Sequence, residues 1–128
     1  MNKEIIATES APAAVGPYSQ GVRAGTFIFT AGQLGIVPGT KEFAGPDIES
    51  QTRRALENLK AVLEAGGSGL EHVVKTTVFL QDIEEFGRMN AVYAEFFPQN
   101  PPGRSAVQVA ALPLGGRVEI EAVALLPA

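Results

Sequence analysis

Apolar residues recur at two different periods along the chain, and the period names the element. From Asp47 to Ala65, Ile48, Ala55, Leu56, Leu59, Val62 and Leu63 keep to three- and four-residue spacing, which predicts an amphipathic helix. Glu49 with Arg53, Arg53 with Glu57 and Lys60 with Glu64 stand four apart and predict a solvated charge face. Asp47 is the expected cap, and Gly66-Gly67 the stop. A second helix is predicted from Ile83 to Phe97, opened by a capping-box pair, Asp82 and Glu85, and ended by Pro98. Its stripe of Phe86, Met89, Tyr93, Phe96 and Phe97 reads as core packing rather than as a cofactor box.

Shorter stretches are β-branched and aromatic. Thr26–Thr30, Val73–Leu80, Ser105–Ala110 and Val118–Leu126 read as strands, with Ile5-Ile6 and Gly21-Val22-Arg23 adding a short hairpin at the start. The order is β-β-β-α-β-α-β-β, with a turn-rich connection at Ile36–Pro46. This predicts an α+β fold in a single domain over residues 1–128: one mixed sheet with two helices on one face. Two helices leave the other face bare. In the last strand Val118, Ile120, Ala122 and Ala124 share one side, and Glu119, Glu121, Val123 and Leu125 share the other. An apolar sheet face without a cover predicts a homo-oligomer packed sheet against sheet, with a site near the acidic end.

Composition then narrows the function. With 45% hydrophobic and 19% charged residues among 128, disorder is excluded as the general state. The net charge is −4 and no run of like charge occurs, so a nucleic-acid partner is not expected. The chain has no cysteine, which removes disulfides, thiolate chemistry and Cys-ligated metals. Its one histidine, His72, follows a Gly-rich turn and reads as a turn residue rather than a base. No long apolar stretch marks a signal peptide or membrane span, so a cytoplasmic protein is expected. Neither glycine-rich phosphate-binding motif is present.

Several polar positions sit in unusual surroundings. Arg104 follows a Pro-rich turn and precedes the strand SAVQVA; it is either a surface arginine or a planar anchor for a carboxylate. Glu119 lies between Val118 and Ile120, either as an interface charge paired to an arginine or as a base with a raised pKa. Tyr18, in the stiff turn Gly16-Pro17-Tyr18-Ser19, is either a plain turn residue or a phenol presented to a pocket. Gly32, in Thr30-Ala31-Gly32-Gln33, lets a ligand approach the backbone. Asn90 is a candidate buried amide bracing a loop. Arg, Glu, Tyr and exposed backbone together suit a small anionic substrate attacked by water.

Seven ordered blocks carry a resemblance: A-P-x-A-x-G-P-Y-S-Q (Ala11 to Gln20), T-A-G-Q (Thr30 to Gln33), the helix from Gln51 to Gly66, V-V-K-T-T-V-F-L (Val73 to Leu80), N-x-x-Y-x-x-F-F (Asn90 to Phe97), P-x-R-S-A-V-x-V-A-x-L-P (Pro102 to Pro113) and V-E-I-E-A-V-A (Val118 to Ala124). On these blocks the chain resembles the RidA/YjgF family of reactive-intermediate deaminases over almost its whole length. The resemblance implies a chorismate-mutase-like fold and a homotrimer with clefts between subunits. It further implies cofactor-free, metal-free hydrolysis of 2-iminobutanoate and 2-iminopropanoate to 2-keto acids and ammonia, a damage-control role. By matched position Arg104 would bind the substrate carboxylate, Glu119 would activate water and Tyr18 would line the pocket. Backbone at Gly32 and Ala106 would bracket the ligand, with Ala31 beside it and Asn90 in support. Many relatives have Ser at the position of Ala31 and Cys at that of Ala106, which bears on substrate preference more than on activity. The alternatives are a non-catalytic regulatory trimer that binds small carboxylates, the ribonuclease or translation-inhibitor activity with which some relatives are labelled, and a chaperone-like role.

Overall fold

The computed structural model describes residues 2–128. In chain order the strands and helices are β1 (Lys3–Ile6), β2 (Gly21–Ala24), β3 (Phe27–Thr30), β4 (Gln33–Leu34), α1 (Ile48–Ala65), β5 (Val73–Leu80), α2 (Phe86–Phe96), β6 (Gly103–Gln108) and β7 (Val118–Leu125). The strands form one mixed sheet in the order β1-β2-β3-β7-β5-β6, and β4 pairs β7 beyond the end of β3. β5 and β6 run parallel with α2 as their crossover, and the other pairings are antiparallel. The fold is the α+β arrangement expected, with one more strand than the pattern showed. β4 has two residues, too few to display a period, and its pairing with Ile120 and Glu119 is what makes it a strand.

Local chemistry explains the ends of α1. Asp47 accepts from the Ser50 N–H at 2.9 Å and so caps the first turn. Gly67 takes φ +90°, and Ser68 N–H closes back on Leu63 O at 2.9 Å, the left-handed stop that glycine supplies most easily. The second helix starts later than its pattern implied. Ile83–Glu85 is a 3₁₀ turn in which Asp82 accepts from the Glu84 N–H at 2.9 Å. Glu85 does not complete a capping box, because its carboxylate takes Arg117 Nη1 at 3.0 Å. The charges of α1 also differ from expectation. Arg53 reaches Glu95 at 2.9 Å and Glu49 receives Arg88 at 2.8 Å, so these charges tie α1 to α2 instead of pairing along one helix. Both pairs are exposed, so solvent and salt screen them and they add little to stability.

Both helices cover one face. Ile28, Leu56, Leu59, Leu63, Val78, Met89 and Ile120 are fully enclosed between helices and sheet. The opposite face carries Phe27, Phe29, Val107 and Leu125 at 42%, 47%, 45% and 38% exposure, an apolar surface without a cover. Among the described residues no helix is long and apolar enough to cross a membrane.

Candidate functional site

Residue parity along the sheet decides which side chains can meet. Glu119 pairs Phe79 across to β5 and so lies on the open face, between the exposed aromatics and the end of β4. The edge beside it is kinked. β3 stops pairing β7 at Phe29, the Ala122 N–H turns to Thr30 Oγ1 at 3.0 Å, and pairing resumes at Gln33. Gly32 sits in the kink directly against the Glu119 carboxyl: a Cβ there would lie 2.7 Å from Glu119 Cδ. Burial, reinforced by the neighbouring Glu121 charge, pushes the Glu119 pKa up from its ordinary value. Among the described residues Glu119 has no cation within ion-pair distance. Tyr18 stands nearby in a tight turn, its N–H bonded to Gly16 O at 2.9 Å and its hydroxyl accepting from the Val15 N–H at 3.4 Å. Tyr18, Gly32, Leu34, Ile36, Leu114 and Glu119 share a pocket of about 310 Å³. Ala31 is the hinge of the kink, but its N–H is taken by Gln20 O at 2.8 Å and is not free for a ligand.

Gly32→Ala is therefore expected to move the carboxylate rather than the fold. The nearest atoms are the end of a flexible side chain, so the thermal midpoint should stay within about 3 °C while turnover falls at least about tenfold. Calorimetry beside steady-state kinetics checks this, and a variant of unchanged turnover would show that the carboxylate position is immaterial.

Arg104 lies on the other side. It pairs Thr76, and with Ala106, which pairs Val78, it faces the helices. Its guanidinium is seated between two rings of α2, 4.7 Å from the Tyr93 centroid and 5.2 Å from that of Phe86, and Nη1 donates to Asn90 Oδ1 at 2.7 Å. Tyr93 is fixed from below by a 2.7 Å bond between its hydroxyl and that of Thr76, and burial raises its phenol pKa, so it stays neutral. Of the six arginines, Arg23, Arg53, Arg54, Arg88 and Arg117 have a carboxylate within ion-pair distance; among the described residues Arg104 alone has none. A planar guanidinium held in this orientation has donors to spare, and two parallel bonds to a carboxylate are within its chemistry.

The chain thus carries two half-sites. Tyr18, Gly32 and Glu119 gather on the open side; Arg104 and Ala106 of the outermost strand gather with Asn90 of α2 on the helix side. One subunit does not bring Arg104 and Glu119 together. His72 closes a 3₁₀ turn 3.5 Å from Glu71, away from both groups. Among the described residues no three His, Asp or Glu side chains converge as a metal site.

Three supports escaped the sequence reading. Gln20 is buried, and its amide donates to Thr8 O and Pro12 O at 3.0 and 2.7 Å, holding the segment that carries Tyr18. Asn58, fully enclosed, donates to Leu34 O and Ile36 O at 3.0 and 2.8 Å, fixing the chain after Gly32. Phe86 and Tyr93 act as the seat of a cation as well as core. A polar residue within the apolar stripe of α1 was a visible signal for Asn58; nothing local marked the other two.

Known proteins share this sequence and fold. The family model described as Endoribonuclease L-PSP matches residues 8–126. A RutC family protein of Pyrococcus horikoshii is 52% identical over 122 residues, covering 95% of this chain and 97% of that protein. The 2-iminobutanoate/2-iminopropanoate deaminase of Salmonella typhimurium is 47% identical over 123 residues, covering 94% and 95%. The crystal structure of E. coli TdcF with bound serine superposes with a TM-score of 0.91 at 44% identity, covering 95% of this chain and 98% of that one. The α+β sheet with two helices on one face is thus the fold these relatives share. This chain belongs to the RidA/YjgF family, the family of the L-PSP model.

Proposed function

We propose that the protein is a hydrolytic deaminase of reactive 2-imino acids, 2-iminobutanoate and 2-iminopropanoate among them, acting as a homotrimer whose sites form between subunits. The observation that carries this reading is a pair of opposites: an arginine without a carboxylate partner, Arg104, and a half-buried carboxylate without a cation, Glu119, on opposite faces of the same sheet. A second copy laid against the open face would set its Arg104 near the first copy's Glu119 and would cover Phe27, Phe29 and Leu125 in the same step. Relatives named as imine deaminases support the chemistry, and serine in the TdcF crystal is a ligand of matching size and charge class.

The steps follow from the groups available. Arg104 takes the substrate carboxylate in two bonds, leaving the imine carbon over the Gly32 backbone. Glu119 accepts a proton from water as the water oxygen bonds to the imine carbon, and passes that proton to the imine nitrogen to give the neutral carbinolamine. Glu119 then takes the carbinol O–H proton and delivers it to nitrogen as the C=O forms and the C–N bond breaks; the products are the 2-keto acid and ammonia, and Glu119 is left ionised. The carbon is already electrophilic, so fixing the reactants close together supplies much of the acceleration. The ribonuclease named in the family model fits less well, since fourteen acidic residues outweigh ten basic ones and phosphate backbones call for basic surface.

The test generates imines in place with an amino-acid oxidase, traps what survives with semicarbazide and follows keto-acid release. Faster loss of imine than in buffer supports the reading. No acceleration across alanine-, serine- and leucine-derived imines leaves a carboxylate-binding trimer without catalysis.

A further inference from the structure

Leu114 adopts φ 58° and ψ 18°, the left-handed region that a leucine disfavours. Its turn is closed by Gly115 N–H to Leu112 O at 3.2 Å and Gly116 N–H to Pro113 O at 3.1 Å, bonds that asparagine or glycine at 114 would serve with less strain. The leucine side chain is 67% exposed, so core packing does not account for it either. What it does is wall the Glu119 pocket, opposite Val15, which is 79% exposed, and beside Ile36 and Pro113. The two amides that line this pocket are occupied or turned away, and Thr40 and Lys41 line an adjoining pocket that shares Val15, Ile36 and Leu114. The Gln20 amide is spent on Thr8 and Pro12, and Gln33, paired to Ile120, lies on the helix-covered face. A ligand in this pocket therefore meets an aliphatic surface, with the Tyr18 hydroxyl and the Glu119 carboxylate as its polar functions. At about 310 Å³ the pocket leaves room for a side chain of several carbons.

We propose that Leu114, with Val15 and Ile36, forms the side-chain subsite of the enzyme and selects 2-imino acids bearing extended aliphatic side chains. This rests on the deaminase reading and adds to it which imines are preferred. An aliphatic group gains from leaving water against this wall. An anionic side chain would lose its hydration beside the like charge of Glu119.

The experiment compares the intact protein with Leu114→Asn and Leu114→Met. Asparagine accepts the left-handed turn but presents an amide; methionine keeps the wall apolar. The readout is the ratio of kcat/KM for the leucine-derived imine over that for the alanine-derived imine. Wild type should favour the leucine-derived imine. Leu114→Asn should lower the ratio about tenfold, the low end for an apolar pocket contact, and Leu114→Met should keep it within about threefold. The thermal midpoint of Leu114→Asn should match or exceed that of wild type, which sets selectivity apart from turn integrity. Binding of 4-methyl-2-oxopentanoate against pyruvate, followed by NMR, supplies a readout without turnover and should lose the same preference. Imine turnover with no preference in wild type, or a ratio untouched by Leu114→Asn, overturns the subsite while the deaminase stands. Absence of turnover with preferential binding of 4-methyl-2-oxopentanoate retains the subsite and overturns the deaminase.

Discussion

Arg104→Ala should lose at least about a hundredfold in kcat/KM, because two charge-assisted hydrogen bonds to the substrate carboxylate disappear together. Most of the loss should fall on KM, since the carboxylate is held alike in the ground and transition states. Arg104→Lys should recover little: an ammonium keeps the charge but neither the fork nor the stacking between Tyr93 and Phe86. The fold should survive, since the side chain is part-exposed and has no carboxylate partner to strand. The sharper form of the experiment mixes subunits. Arg104→Ala and Glu119→Gln should each be nearly inactive alone. Unfolded together in equal amounts and refolded, they should regain about a quarter of wild-type activity, because a site that borrows Arg104 from one copy and Glu119 from the next draws both intact residues one time in four. Sites contained within one chain would regain nothing.

Glu119→Gln should lower kcat by about 10²- to 10⁴-fold, the usual range for a lost general base. It should also change the pH profile. Burial and Glu121 raise the wild-type pKa, so the acid limb of wild-type activity should fall above the ordinary glutamate value of 4.5 and vanish in the variant. A limb that persists in Glu119→Gln assigns the base elsewhere. The stability effect has the opposite sign. A raised pKa means the folded protein holds this proton more tightly than the unfolded chain does. Ionised Glu119 thus costs stability above its folded pKa, and the cost fades as pH falls toward the unfolded value. At neutral pH the inactive Glu119→Gln protein should melt no lower than wild type. Under the proposed mechanism the same residue limits stability and carries the chemistry, a trade common at sites built for function.

The residue pattern disclosed what depends on neighbours in the chain. Spacing gave both helices, because burying one face of a helix needs apolar residues every three or four positions whatever the partner. Alternation in Val118–Leu125 placed Glu119 on the bare side of the sheet before any coordinates, since a strand's side chains must alternate. Glycine pairs and aspartate marked the ends of α1 because caps act within a few residues. Arg104 and Glu119 stood out by being charged where their surroundings were not.

What the pattern left open involves partners distant in sequence. β4 exists because β7 offers two residues of pairing, which no local signal announces. Glu85 chose Arg117, thirty-two positions away, over the Asp82 backbone beside it. The cradle of Arg104 joins β6 to α2, and the buried amides of Gln20 and Asn58 hold segments twelve and more than twenty positions off. The separation of Arg104 from Glu119 was decided by register alone: Arg104 pairs Thr76 and Glu119 pairs Phe79, residues of opposite parity on β5. By itself the sequence determined which residues are chemically conspicuous, because burial period and local turn chemistry are written in neighbours. Only the tertiary structure decided that the two most conspicuous ones stand back to back, because strand register is set by the packing of the whole sheet.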